Sequence, residues 1–180
     1  MKNLFHFIAL FLVTTSLVNA QDWIDYKSED LAFIAEFPGE PERTVQEVET
    51  AIGIIDMHMI MHSADSSDDN MVYSIIRSDY PEEEFKDADD EYNNSVLDGA
   101  VNGATTNVNG ELTSDEKITH NGFPGRSIKI KISGAFIYMN AYLVNNTMFV
   151  VQVICLTDKD ENEDIKRFMD SFDMLKVKED

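Results

Sequence analysis

The residues able to do chemistry in this chain are few in type. Past the first twenty positions there are three histidines, His58, His62 and His120, and the only cysteine is Cys155. A His58/His62 pair spaced four apart would chelate one metal ion from a helix face. The surrounding sequence does not read as helix. Ile55, Met57, Met59 and Met61 alternate with Asp56, His58, Ile60 and His62, the two-residue period of a half-buried strand. On a strand four residues span about 13 Å, and one ion cannot hold two imidazole nitrogens at about 2 Å across that gap. The methionines are therefore expected to fill a sheet core, with His58 and His62 pointing outward. A soft-ligand copper site using Met57, Met59 and Met61 is the competing chemistry, but thioethers along one strand face are ordinary core filling.

Asp158, Asp160, Asn162 and Asp164 place oxygen ligands at alternate positions, as at the start of a calcium-binding EF-hand loop. The rest of that motif fails. Its sixth position, which needs glycine, is Glu163, and its twelfth, which needs a bidentate glutamate, is Met169. These four are the cation-ligand candidates, and an acidic first turn of the last helix, satisfying its dipole, is the simpler reading of them. Asp65-Ser66-Ser67-Asp68-Asp69-Asn70 reads as a solvated loop. Cys155 sits in the apolar run Phe149 to Leu156 and is expected to be a buried, inert thiol without an intramolecular disulfide. There is no G-x-S-x-G elbow, H-E-x-x-H, phosphate-binding glycine loop or C-x-x-C. No catalytic residue and no cofactor is expected. Two glycosylation sequons, at Asn93 and Asn145, matter only in a host that makes that linkage.

The elements that must position these residues follow from periodicity. Trp23–Tyr26 and Leu31–Phe37 read as short strands stopped by Pro38-Gly39-Glu40-Pro41. Thr44 to Ile55 reads as strand, followed by the alternating Met/His strand, a polar loop over 64–70, and strand again from Met71 to Ile76. Pro81-Glu82-Glu83-Glu84 suits a first helical turn. Phe85, Ala88, Tyr92, Val96 and Ala100 continue one helical face, which Gly99, Gly103 and the Asn/Gly-rich tract to Gly110 are expected to end. Four strands follow over 111–119, 126–132, 136–144 and 148–156, with Asn121-Gly122 and Asn145-Asn146 as hairpin turns. Ile165, Phe168, Met169 and Phe172 form the stripe of a last helix over 160–172. Strands then helix, twice over, predict an α+β domain: an antiparallel sheet flanked by helices.

Met1-Lys2-Asn3, the apolar run from Leu4 to Val13 and the small residues closing on Ala20 have the order of a secretory signal. Residues 1–20 are read as that signal and 21–180 as one domain, placed outside the cytoplasm. Thr14, Thr15 and Ser16 break the run short of the roughly 20 apolar residues a membrane span needs. The formal net charge of −20 disfavours nucleic acid and anionic membrane surfaces as partners. It fits either solubility or the attraction of cations and basic partners.

Four ordered stretches carry a resemblance: Phe33 to Pro41, His120 to Arg126, Ala141 to Phe149 and Ile165 to Phe172. A strand meeting a Pro-Gly turn, a G-x-P-G turn entering a central hairpin and an F-x-x-S-F helix end resemble secreted bacterial domains of the PsbP-like superfamily. The resemblance implies an α/β/α sandwich on an antiparallel sheet. Its members include a photosystem II extrinsic subunit that helps retain calcium and chloride and an import factor that binds the GTPase Ran, so it implies protein binding without catalysis. It carries no site residue over, because Gly39, Gly122, Gly125, Phe168 and Phe172 already have turn or anchoring work. The expectation is an exported accessory module that contacts a cell-envelope protein. The alternatives are an extracytoplasmic calcium-binding protein and, third, an enzyme of unknown type, which would need a pocket with converging carboxylates or with His120 beside one of them.

Overall fold

A computed structural model describes residues 23–50 and 53–175; the signal expected over 1–20 lies outside them. Seven antiparallel strands form the central sheet in the order β3-β4-β5-β9-β8-β7-β6. They are β3 (Glu42–Thr50), β4 (Gly53–Ser63), β5 (Asn70–Asp79), β6 (Glu111–His120), β7 (Phe123–Ile132), β8 (Ala135–Val144) and β9 (Thr147–Leu156). Strand β9 takes a middle place because its sequence is apolar toward both faces. Phe149, Val151, Val153 and Cys155 are buried on one face, and Met148 is buried on the other.

The two faces are covered differently. On the first lie a small sheet of β1 (Ile24–Ser28), β2 (Phe33–Phe37) and β10 (Asp173–Met174), and helix α2 (Glu163–Ser171). Aromatic rings fill this layer. Phe168 meets Phe37 at 5.0 Å and Tyr73 at 5.3 Å between centroids, and Phe172 stacks on Tyr142 at 5.7 Å. Full burial of Phe168 contributes about 2–3 kcal/mol. Helix α1 (Asp90–Asn107) covers the other face over β7 and β8. There Leu97 and Val101 pack on an aliphatic surface that includes Ile128, Ile130, Met139 and Leu143.

The α+β architecture expected from the pattern is present, with differences that have physical causes. The apolar segment 44–55 is not one strand; it holds β3 and the start of β4, paired as a hairpin from Glu42↔Met61 to Thr50↔Gly53. Pro81 leads into a 3-10 turn, Glu82–Phe85, and α1 begins only after Asp89, whose carboxylate accepts from Tyr92 N at 2.8 Å. Gly99 and Gly103 do not stop α1, because burial of Leu97 and Val101 outweighs about 1 kcal/mol of helix propensity lost per glycine. The helix ends where Asn109 turns left-handed at φ 55°, with Gly110 N donating to Thr105 O and Asn109 N to Thr106 O.

The faces of β4 are also reversed from expectation. Ile60, not the methionines, is fully buried in the aromatic layer, and His58 and His62 share its face. Met57, Met59 and Met61 lie half-buried on the α1 side, beyond the strands that α1 covers. With a period of two, one fully buried residue decides the face of the whole strand. Two glycines serve close approach, not turning. A Cβ on Gly39 would lie 2.5 Å from His62 Cε1, and one on Gly125, inside β7, 2.5 Å from the Ala141 carbonyl oxygen. Gly122 does turn the chain, at φ 87° after Asn121 at φ 50°, the Asn-Gly hairpin pattern.

Candidate functional site

The sheet has two ends, and the chemistry-bearing residues divide between them. At one end the loop before β5 meets the loop after β9, so the two acidic stretches are brought together. Asn70 and Asn162 exchange amide hydrogen bonds of 3.1 and 2.9 Å. Asn162 also caps α2 by accepting from Ile165 N at 3.1 Å. Asn70 Nδ2 donates to Tyr73 Oη at 2.7 Å, and that hydroxyl donates to Asp68 Oδ1 at 2.9 Å. Lys159 bridges across to Asp69.

The four candidate cation ligands do not converge there. Asp160 turns to the sheet, accepting from Lys129 Nζ at 2.8 Å and Tyr138 Oη at 2.5 Å. Burial opposes its charge, but those two donors outweigh burial and hold the carboxyl below its ordinary range. Asn162 is the cap and clamp just described. Asp158 is exposed in the 3-10 turn Thr157–Lys159. Asp164 is half-buried on the first turn of α2, and burial, then the charge of Asp68, pushes its carboxyl up. Asp68 Oδ2 is buried without a hydrogen-bond partner. Among the described residues, no group of three or more His, Cys, Asp or Glu is arranged to hold a metal ion.

At the opposite end a groove of about 880 Å³ opens between the central sheet and β10. Its floor is Phe149 and Val144, its rim the turn residues Asn121, Asn145 and Asn146, and its walls Arg77 and Asp173. The elements explain its existence. Among the described residues β10 is two residues long and pairs with β2 alone, so the covering layer they form stops short of this end of the sheet. Arg77 is held in place by Asp79, with Nε at 3.1 Å from both carboxylate oxygens and Nη2 at 2.9 Å from Oδ1. Its guanidinium lies over the Phe149 ring at 5.6 Å. Thr147 donates to the same Asp79 carboxylate at 2.6 Å. Asn146 and Tyr80 exchange two hydrogen bonds that fix the β8–β9 turn.

His120 stands beside a carboxylate, with Nε2 3.0 Å from Asp173 Oδ1. That oxygen also accepts from Asn121 Nδ2 and Met174 N, both at 2.9 Å. The hydrogen bond to His120, then that from Asn121, holds the Asp173 carboxyl below its ordinary range. The imidazole packs on Tyr142 and Phe172. The pair joins the β6–β7 turn to β10, and the groove's one hydroxyl, on Thr147, is committed to Asp79. This is an arrangement for holding a surface in shape. His58 and His62 lie elsewhere, on β4: His58 Nδ1 is buried without a hydrogen-bond partner, and His62 Nδ1 is 3.2 Å from the Glu40 carbonyl oxygen. Cys155 is fully buried, and burial pushes its thiol pKa up. Sequence reading missed Arg77 and Asp173 as groove residues and Asp79 as the support of Arg77; only the turn asparagines carried a signal.

No protein-family model and no curated protein sequence matches this chain. Among solved structures, it is similar to the solution structure of cyanobacterial PsbP (CyanoP) from Synechocystis sp. PCC 6803. The TM-score is 0.53 at 12% identity, over 91% of this chain and 98% of that one. At that identity the likeness establishes the PsbP-like fold, which the turn and helix signatures had implied.

Proposed function

We propose that this protein is an exported, non-catalytic accessory module that binds a cell-envelope protein through the groove beside β10. The observation that carries the reading is the groove itself, whose charged residues Arg77 and Asp173 are already engaged, by Asp79 and His120, around an apolar floor. Such a surface offers contact area and turn amides without a free nucleophile. Export rests on the secretory order of residues 1–20. Fold alone does not fix a function, so the test addresses the groove directly. A photo-crosslinking side chain is placed at Asn145, on the rim, or at Asn107, at the end of α1, and the mature domain is exposed to its own envelope extract. A protein captured from position 145 only, and lost with Thr147→Trp at unchanged melting temperature, is the expected result. Equal capture from both positions, or none, ends the reading.

A second reading, calcium binding, draws support from the unpartnered Asp68 Oδ2 and the raised carboxyl of Asp164 beside it. A hard cation would relieve that repulsion. Calorimetric titration with calcium tests it, because a bound cation must also raise the melting temperature. Silence in both measurements removes it.

A further inference from the structure

Among the described residues the central sheet has two edge strands, β3 and β6, and they are protected to different degrees. Edge strands expose unpaired backbone groups and are commonly blunted by bulges and lysines. β6 has both devices: a register shift between Leu112 and Ser114, where Thr113 folds its hydroxyl back to the Lys129 carbonyl oxygen at 3.0 Å, and Lys117. β3 has neither. It pairs with β4 in unbroken register and contains no lysine, proline or bulge. The β3–β4 hairpin also runs past β5, because β4 meets β5 only from Met57 onward.

The side chains of this edge select against one kind of partner and for another. Val45 and Ile54 share a face and are 51% and 70% exposed. On the same face stand Glu47, Glu49 and Asp56, all exposed, and no lysine or arginine pairs with them among the described residues. Arg43, the one cation of β3, is taken by Asp30 at 2.7 Å. A second copy of this chain, with its net charge of −20, would set like charges opposite one another, which is destabilising in a sheet.

We propose that β3 is a docking edge for an extended, basic segment of a partner protein, added as an eighth strand. Backbone hydrogen bonds would supply the pairing and alternate side chains the selection. The face pattern it fits, in a segment running parallel to β3, is an apolar residue opposite Val45 and then basic residues opposite Glu47 and Glu49, two positions apart. This inference stands independently of the groove, which lies at the β10 side of the sheet end.

The test is titration of the mature domain with the synthetic peptide TVTKTKT, followed by backbone amide NMR. Shifts concentrated in residues 43–49 and absent from 111–120 are expected, weakening as salt is raised. Glu47→Lys with Glu49→Lys should reduce affinity about tenfold or more without lowering the melting temperature, since both side chains are exposed. The same double variant should then bind TVTETET in place of TVTKTKT. Shifts of equal size at β6, shifts scattered over all acidic surfaces, or no shifts at millimolar peptide would overturn the proposal. So would a concentration-dependent dimer whose contact maps to β3. Thr147→Trp should leave the titration unchanged, so failure here and failure of the groove reading are distinguishable.

Discussion

The two ends of the sheet are built from similar loop chemistry and come out differently. At the acidic end Asn70 and Asn162 face one another, each satisfying the other's amide, with Tyr73 closing the network on Asp68. At the other end Asn121 bonds to Asp173 of β10 and Asn146 to Tyr80, not to one another, and a groove is left between β10 and the sheet. Residue type does not separate the two. What separates them is whether two loops meet: α2 carries Asn162 onto Asn70, whereas β10 ends before it reaches the β8–β9 turn. The closed end is stabilised by buried, mutually satisfied amides, and the open end keeps a surface on which something else can bind.

That contrast can be broken most strongly at the layer both ends share. Phe168→Ala should cost about 3–5 kcal/mol, because the ring is fully buried between Phe37 and Tyr73. Denaturant unfolding measures it, and a cost under 1 kcal/mol would mean that α2 is not anchored as described. Next in size is the amide clamp. Asn70→Ala should cost about 1–3 kcal/mol by leaving Asn162 and the Tyr73 hydroxyl short of partners. Its counterpart at the open end, Asn145→Gly, keeps the left-handed turn at φ 53° and should stay within about 0.5 kcal/mol. Equal losses at the two ends would erase the distinction.

The ends should also respond to acid with opposite sign. Asp173 has a folded pKa below its unfolded one, so its contribution is present above the ordinary carboxyl range and is lost as pH falls through the depressed value. Asp164 has a raised folded pKa, so the contribution of its protonation is complete below the ordinary value and is lost as pH rises through the raised one. Asp164→Asn should therefore increase stability at neutral pH and Asp173→Asn should decrease it, both differences shrinking in acid. Urea midpoints at pH 7 and in the carboxyl range check this, and the same sign for both variants would contradict it. A small effect is also expected of Lys159→Ala. Its ion pair with Asp69 is about half exposed on both sides, so melting should report a change below about 1 kcal/mol. A larger loss would make the ion pair, and not the amides, the fastener of the closed end.

Much of this was legible along the chain because it is local. The four strands from 111 to 156, the Asn-Gly turn and the Phe168/Phe172 stripe each lie in a short window of period two or near four. The buried thiol of Cys155 followed from its apolar neighbours. The faces of β4 were not legible, because methionines and Ile60 are all apolar and only contact with the β2 layer decides between them. The acidic segment 158–164 looked like one ligand set, yet Asp160 and Asn162 are drawn to Lys129 and Asn70, residues far away in sequence. Gly99 and Gly103 read as part of a helix end running to Gly110, yet packing of Leu97 and Val101 carries α1 past both glycines to the last residues of that tract.

The amino-acid sequence by itself determined the α+β class, the order and approximate bounds of most elements, the turns and the strongly acidic surface. Each depends on propensity, periodicity or charge within a few residues. Tertiary structure alone decided that β1 and β2 leave the main sheet, which face of β4 is buried, that the two acidic loops join, and that a groove and an unguarded edge remain. Those outcomes depend on which distant surfaces meet, and contact between distant segments leaves no period in the chain to be read.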